Sequence, residues 1–112
     1  IEGVQPNYLI KEGDSITIGN ATCTVIDTPG HTPGGVCFYF PEQKAVISGD
    51  TLFKGTIGNL SFPTSSAQSM WKSLKKLAAL APDTVVYPGH GPSTTIGSEK
   101  WLSRAEEYFG DL

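Results

Sequence analysis

The 112-residue sequence predicts an α+β unit: a mostly antiparallel sheet followed by helix, strand and helix. Three observations predict it. The first half is a series of short β-type runs separated by turn residues. Near Ser65 or Ser66 the pattern changes to apolar residues at helical spacing. No repeat, low-complexity tract or compositional shift divides the chain, so residues 1–112 read as one unit.

The β-type runs are Tyr8–Ile10, Ser15–Ile18, Thr22–Asp27, Gly35–Phe40 and Lys44–Ser48. Glu12-Gly13-Asp14 and Gly19-Asn20 supply tight-turn residues, and Pro41-Glu42-Gln43-Lys44 reads as a hairpin loop. Met70, Leu74, Leu77 and Leu80 then share one side of a helix that carries Gln68, Lys72, Lys75 and Lys76 on the other. A serine opens this helix and Pro82 stops it. Val85, Val86 and Tyr87 form a short buried strand. Ser98 is placed to cap a last helix from Glu99 to about Phe109.

A chain of this size buries roughly 60–70% of its unfolded surface, enough for a core without covalent staples. Eight basic and eleven acidic residues give a net charge of -3. No cationic block is present that would neutralise a row of phosphates, which disfavours nucleic acid as a partner. No apolar run approaches the ~20 residues of a membrane span, so a soluble chain is expected, with a cytoplasmic location as the default. Cys23 and Cys37 lie in strand-like runs and read as buried thiols rather than a disulfide. Cys37 is flanked by residues expected to pack, which argues against a nucleophile. The absence of a Gly-x-Ser-x-Gly elbow leaves serine chemistry unsupported.

The chemistry concentrates in three loops. Both histidines of the chain sit in near-matching frames, Thr28-Pro29-Gly30-His31-Thr32-Pro33-Gly34-Gly35 and Tyr87-Pro88-Gly89-His90-Gly91-Pro92, with Ser48-Gly49-Asp50-Thr51-Leu52-Phe53 between them. Each loop follows a strand-like run, so His31, Asp50 and His90 can meet at one sheet edge. Two imidazoles and a carboxylate are the donors a catalytic zinc or similar ion takes at ~2.0–2.2 Å. Thr32 and Thr51 stand beside these ligands, where their hydroxyls could either orient them or merely cap the local backbone. Lys54 follows the aspartate loop, where it could meet an anionic substrate group. Trp71 and Trp101 read as packing residues, and Tyr39 and Tyr87 as core or sheet-face residues.

Taken together, the three loops and the run Gly91-Pro92-Ser93-Thr94-Thr95-Ile96-Gly97-Ser98-Glu99-Lys100 resemble the metallo-β-lactamase superfamily of hydrolases, most closely its glyoxalase II (hydroxyacylglutathione hydrolase) branch. The resemblance covers nearly the whole chain. It implies one half of an αββα sandwich, in which His31 belongs to the first metal position, Asp50 bridges two metals and His90 belongs to the second. It further implies zinc, with iron or manganese as alternatives, and hydrolysis of a small thioester or ester by hydroxide generated at the metals. The family's His-x-His-x-Asp-His motif is absent from these 112 residues, the first residue is Ile1, and the only methionine is Met70. The chain is therefore expected to be a C-terminal half, with little activity alone. Its expected partner is the missing N-terminal half or a second copy. Where many relatives carry Arg and Asp, this sequence has Asn59, Leu60 and Ser61 after Gly58, so glutathione specificity does not follow. A sulfur dioxygenase of the same superfamily and a non-catalytic self-associating module are the rival readings.

Overall fold

The computed structural model describes residues 12–61 and 65–110. Strands β1 (Ser15–Ile18), β2 (Ala21–Asp27), β3 (Val36–Phe40) and β4 (Ala45–Gly49) follow the predicted runs to within a residue. The run Tyr8–Ile10 lies outside the described residues. Beyond β4 come β5 (Leu52–Phe53), β6 (Thr56–Ile57), helix α1 (Ala67–Ala78), β7 (Val85–Pro88), β8 (Thr94–Thr95), a 3-10 turn (Leu102–Arg104) and helix α2 (Ala105–Phe109).

The main sheet has the order β1-β2-β3-β4-β7-β8, and β5 and β6 form a separate two-stranded hairpin. Every neighbour in the main sheet is antiparallel except β4 and β7, which are parallel. A parallel pair requires a crossover, and α1 lies within it. Because β2 and β4 are both antiparallel to β3, they run in one direction, and β7 shares it. The C-terminal ends of β2, β4 and β7 therefore emerge at the same end of the sheet.

Alternation along the strands places Cys37, Val46 and Val86 in a core with Met70, Leu74 and Leu77 of α1, all fully buried. On the opposite face, Phe38, Ile47 and Tyr87 are aligned across β3, β4 and β7. Ile47 is 43% and Tyr87 49% exposed, so this apolar row is open to solvent. Leu80 packs on the core from just beyond the helix. Of the two serines that could open α1, Ser66 is the cap: its Oγ accepts from the Ser69 N–H at 3.2 Å.

The predicted final helix is replaced by a turn, the 3-10 segment and the five-residue α2. Ser98 does not cap a helix; its Oγ accepts from Thr95 Oγ1 at 2.8 Å and its N–H donates to the same Thr95 hydroxyl. Glu99 points inward to bind three donors, which takes it off a solvent-facing helical path. Both cysteines are free and buried. Burial pushes the Cys37 thiol above its ordinary value, against the opposing pull of hydrogen bonds from Thr28 and Thr51. That is the reverse of nucleophile activation.

Candidate metal centre

The common direction of β2, β4 and β7 carries the β2–β3 loop with His31, the turn after β4 with Asp50, and the loop after β7 with His90 to one place. Backbone bonds tie the loops together: Gly89 N–H donates to Gly49 O at 2.8 Å, and Ser66 N–H, at the start of α1, donates to Gly30 O at 2.7 Å. Gly30 sits against the helix so closely that an added Cβ would stand 2.7 Å from Met70 Cα.

His31 Nδ1 lies 2.7 Å from the Asn59 carbonyl oxygen. A carbonyl only accepts, so a neutral His31 carries its proton on Nδ1 and presents the Nε2 lone pair, the tautomer a metal ligand requires. Nε2 is 3.8 Å from Asp50 Oδ2. On the other side of the carboxylate, Asp50 Oδ1 is 3.8 Å from His90 Nε2. One oxygen thus faces each imidazole. Two bonds of ~2.0–2.2 Å meeting at a tetrahedral ion separate their donor atoms by about 3.3–3.6 Å, so each 3.8 Å gap would have to close by a few tenths of an ångström to hold one. Among the described residues no three such side chains gather on one point. The arrangement is two donor pairs that share Asp50.

A cavity of about 480 Å³ opens beside these groups, walled by His31, Asp50, His90 and the β5–β6 hairpin, with Lys54 on its lining. The hairpin's Phe53 ring stands 4.7 Å from the His90 ring, centroid to centroid. Gly58, where β6 ends, packs so tightly that a Cβ there would enter the Asp50 carbonyl oxygen and approach His31 Cβ to 3.2 Å.

The structure brings the three candidates to one end of the sheet, with His31 and His90 each facing Asp50. The two threonines do not orient them: Thr51 Oγ1 turns inward to Thr28 Oγ1 at 3.2 Å, and Thr32 is exposed, with its carbonyl closing the loop onto Gly30 and Gly35. Trp71 and Trp101 pack against the core. The site contacts of Asn59, Phe53, Gly58 and Ser65, whose Oγ donates to the His31 carbonyl at 2.9 Å, were not read from the sequence, although all four residues were noted for other reasons. A backbone acceptor leaves no side-chain signature. The adjacency of Phe53 to the Gly-Asp-Thr turn was the one available signal.

Residues 5–90 match the Metallo-beta-lactamase superfamily. A hydroxyacylglutathione hydrolase from Rhodospirillum rubrum is 48% identical over 81 residues, covering 72% of this chain and 31% of that protein. Among solved structures, TTHA1623 in a di-iron-bound form superposes with a TM-score of 0.74 at 44% identity, over 81% of this chain and 44% of that one. ETHE1 from Myxococcus xanthus gives 0.76 at 30% identity, over 84% and 43%. The chain spans less than half the length of each.

Proposed function

This chain belongs to the metallo-β-lactamase superfamily, and from that premise we propose that it supplies part of the centre of a metal-dependent hydrolase acting on a thioester or ester of the hydroxyacylglutathione kind. The observation that carries this reading is Asp50, with one carboxylate oxygen 3.8 Å from His31 and the other 3.8 Å from His90. The hydroxyacylglutathione hydrolase of Rhodospirillum rubrum supports the substrate class.

In the proposed site His31 and Asp50 would hold one metal, and Asp50 and His90 a second. Zinc fits the imidazole and carboxylate donors, and the di-iron TTHA1623 supports iron equally. When bound, the metals supply a hydroxide nucleophile near neutral pH and polarise the substrate carbonyl. The protein does the rest. Asn59 O fixes the His31 tautomer, Asp50 balances positive charge with both oxygens, and Phe53 limits the swing of His90. Lys54 brings a cation to the cavity that suits an anionic substrate.

Two donors per metal give weak affinity, so this chain alone is expected to turn over little or no substrate. The test is Co²⁺ binding by the chain and by His31→Ala, Asp50→Asn and His90→Ala, with hydrolysis of a hydroxyacyl-glutathione thioester measured alongside. Weak binding that each substitution abolishes supports the reading; binding that survives all three sinks it. ETHE1 motivates one rival, an iron-dependent sulfur dioxygenase, which persulfide-dependent oxygen uptake would reveal.

The open row of Phe38, Ile47 and Tyr87 belongs to the same proposal. Its occupant is the polypeptide corresponding to the unmatched length of the relatives, packed sheet on sheet. A chain that is monomeric at high concentration and binds no apolar dye would remove this part. A stable dimer would assign the face to a second copy.

A further inference from the structure

Glu99 is 5% exposed and lies outside the group of metal-ligand candidates. Burying a carboxylate is costly unless donors replace water, and here three do, from three separate segments. Its Oε1 accepts from the Gly55 N–H at 2.9 Å and from Trp101 Nε1–H at 2.9 Å, and its Oε2 accepts from Thr94 Oγ1–H at 2.6 Å.

What these partners hold matters more than their number. Gly55 is the turn of the β5–β6 hairpin, at φ 79°, and the residues on either side of it line the site cavity. Thr94 lies in β8 and pairs with Val86 of β7, the strand that leads directly into the His90 loop. Glu99 therefore links the hairpin to the strand pair behind His90. Phe53 of that hairpin faces His90 at 4.7 Å, and the His90 side chain is otherwise 80% exposed.

We propose that Glu99 is a positioning residue: by clamping the Gly55 turn to Thr94 and Trp101, it holds Phe53 against His90 and so sets the imidazole's place beside Asp50. This deepens the metal-site reading and rests on it only where metal binding is concerned. The placement of the two rings stands on the hydrogen bonds alone.

The test uses the full chain with Glu99→Ala, Glu99→Asp and Glu99→Gln, and Leu77→Ala as a core-destabilising control. Glutamine keeps an oxygen for Gly55 and Trp101, and its amide can donate to Thr94 Oγ1. Aspartate keeps the charge but is one methylene too short to reach both sides. NMR reads Gly55 amide protection and the Phe53–His90 ring contact; titration with Co²⁺ alone reads affinity. The expected result is loss of protection and ring contact in Glu99→Ala and Glu99→Asp, with Co²⁺ affinity down about three- to tenfold, below the 10–100-fold typical of groups bonded directly to a ligand. Glu99→Gln should stay near the parent, and Leu77→Ala should lower thermal stability while leaving the ring contact and the Co²⁺ affinity in place. Should Glu99→Ala fail to fold, Glu99→Asp decides. A ring contact that persists in Glu99→Asp, or is lost equally in Leu77→Ala, overturns the proposal. A parent chain that binds no Co²⁺ counts against the metal site, and the ring contact then decides on Glu99 by itself.

Discussion

His31 and His90 sit in nearly the same Pro-Gly-His frame and face the same carboxylate at the same 3.8 Å, yet they are held very differently. The His31 side chain is 19% exposed, its ring bonded to Asn59 O, its carbonyl bonded to Ser65, and its Cβ backed by Gly58. The His90 side chain is 80% exposed and faces the Phe53 ring. The lesson is that a motif gives the identity of a ligand but not its preorganisation, which comes from whatever the fold brings behind it. The His31 side is held from several directions. The other depends on a hairpin.

The largest effect that would break this contrast comes from Gly58→Ala. The methyl group has nowhere to go except into the Asp50 carbonyl and towards His31. Overpacking of this kind costs ~1–3 kcal/mol or more. The expected outcome is a clear fall in melting temperature together with loss of Co²⁺ binding, because the residue sits behind both partners of the ordered pair. A variant with parental stability and metal binding would show that the His31 side is not tightly built.

A smaller pair of substitutions separates the two histidines. Phe53→Ala removes an aromatic contact worth about 0.5–1.5 kcal/mol and should broaden or shift the His90 ring signals while leaving those of His31 in place. Ser65→Ala removes a hydrogen bond worth about 0.5–1.5 kcal/mol net and should do the opposite. If both variants disturb both rings equally, the two sides form one cooperative unit and the contrast is lost.

The same contrast explains what could be read from the sequence. Strands β1 to β4, the Met70–Leu77 helix and β7 carry a periodicity long enough to read, and their directions follow from the pairing. That His31, Asp50 and His90 come to one end of the sheet was legible because each stands in a glycine-framed loop directly behind a strand-like run. The two-residue strands β5, β6 and β8 are too short for any alternation to show. The Glu99–Phe109 stretch reads as helical with Ser98 as its cap, but the carboxylate of Glu99 finds three donors inward, which a helix continuing from Ser98 would have forfeited. The Asn59 carbonyl acts through its backbone, and Gly58 acts by lacking a side chain. The first leaves no mark in residue type, and the second shows a glycine without showing what it packs against.

The smallest expected effect lies at the other end of the strands that carry Asp50 and His90. Lys44, just before β4, bonds Asp83, just before β7, at 2.9 Å, alongside the Val85 N–H to Lys44 O bond at 2.8 Å. The hydrogen bond to Lys44 holds the Asp83 carboxyl below its usual 3.8, and the same bond lifts Lys44 above 10.5. The depressed Asp83 contributes stability above its unfolded pKa and loses it as the pH falls through the lower folded value. The raised Lys44 contributes below its unfolded pKa and loses that as the pH rises through the higher folded value. The difference in melting temperature between the parent and Asp83→Asn should therefore be small, flat from about pH 5 to 9, and vanish in strong acid. Because both side chains are solvated and the backbone bond at Val85 survives the substitution, Co²⁺ affinity should not move. A change in that affinity would mean that the register of β4 against β7, rather than the loops at its far end, sets how Asp50 meets His90.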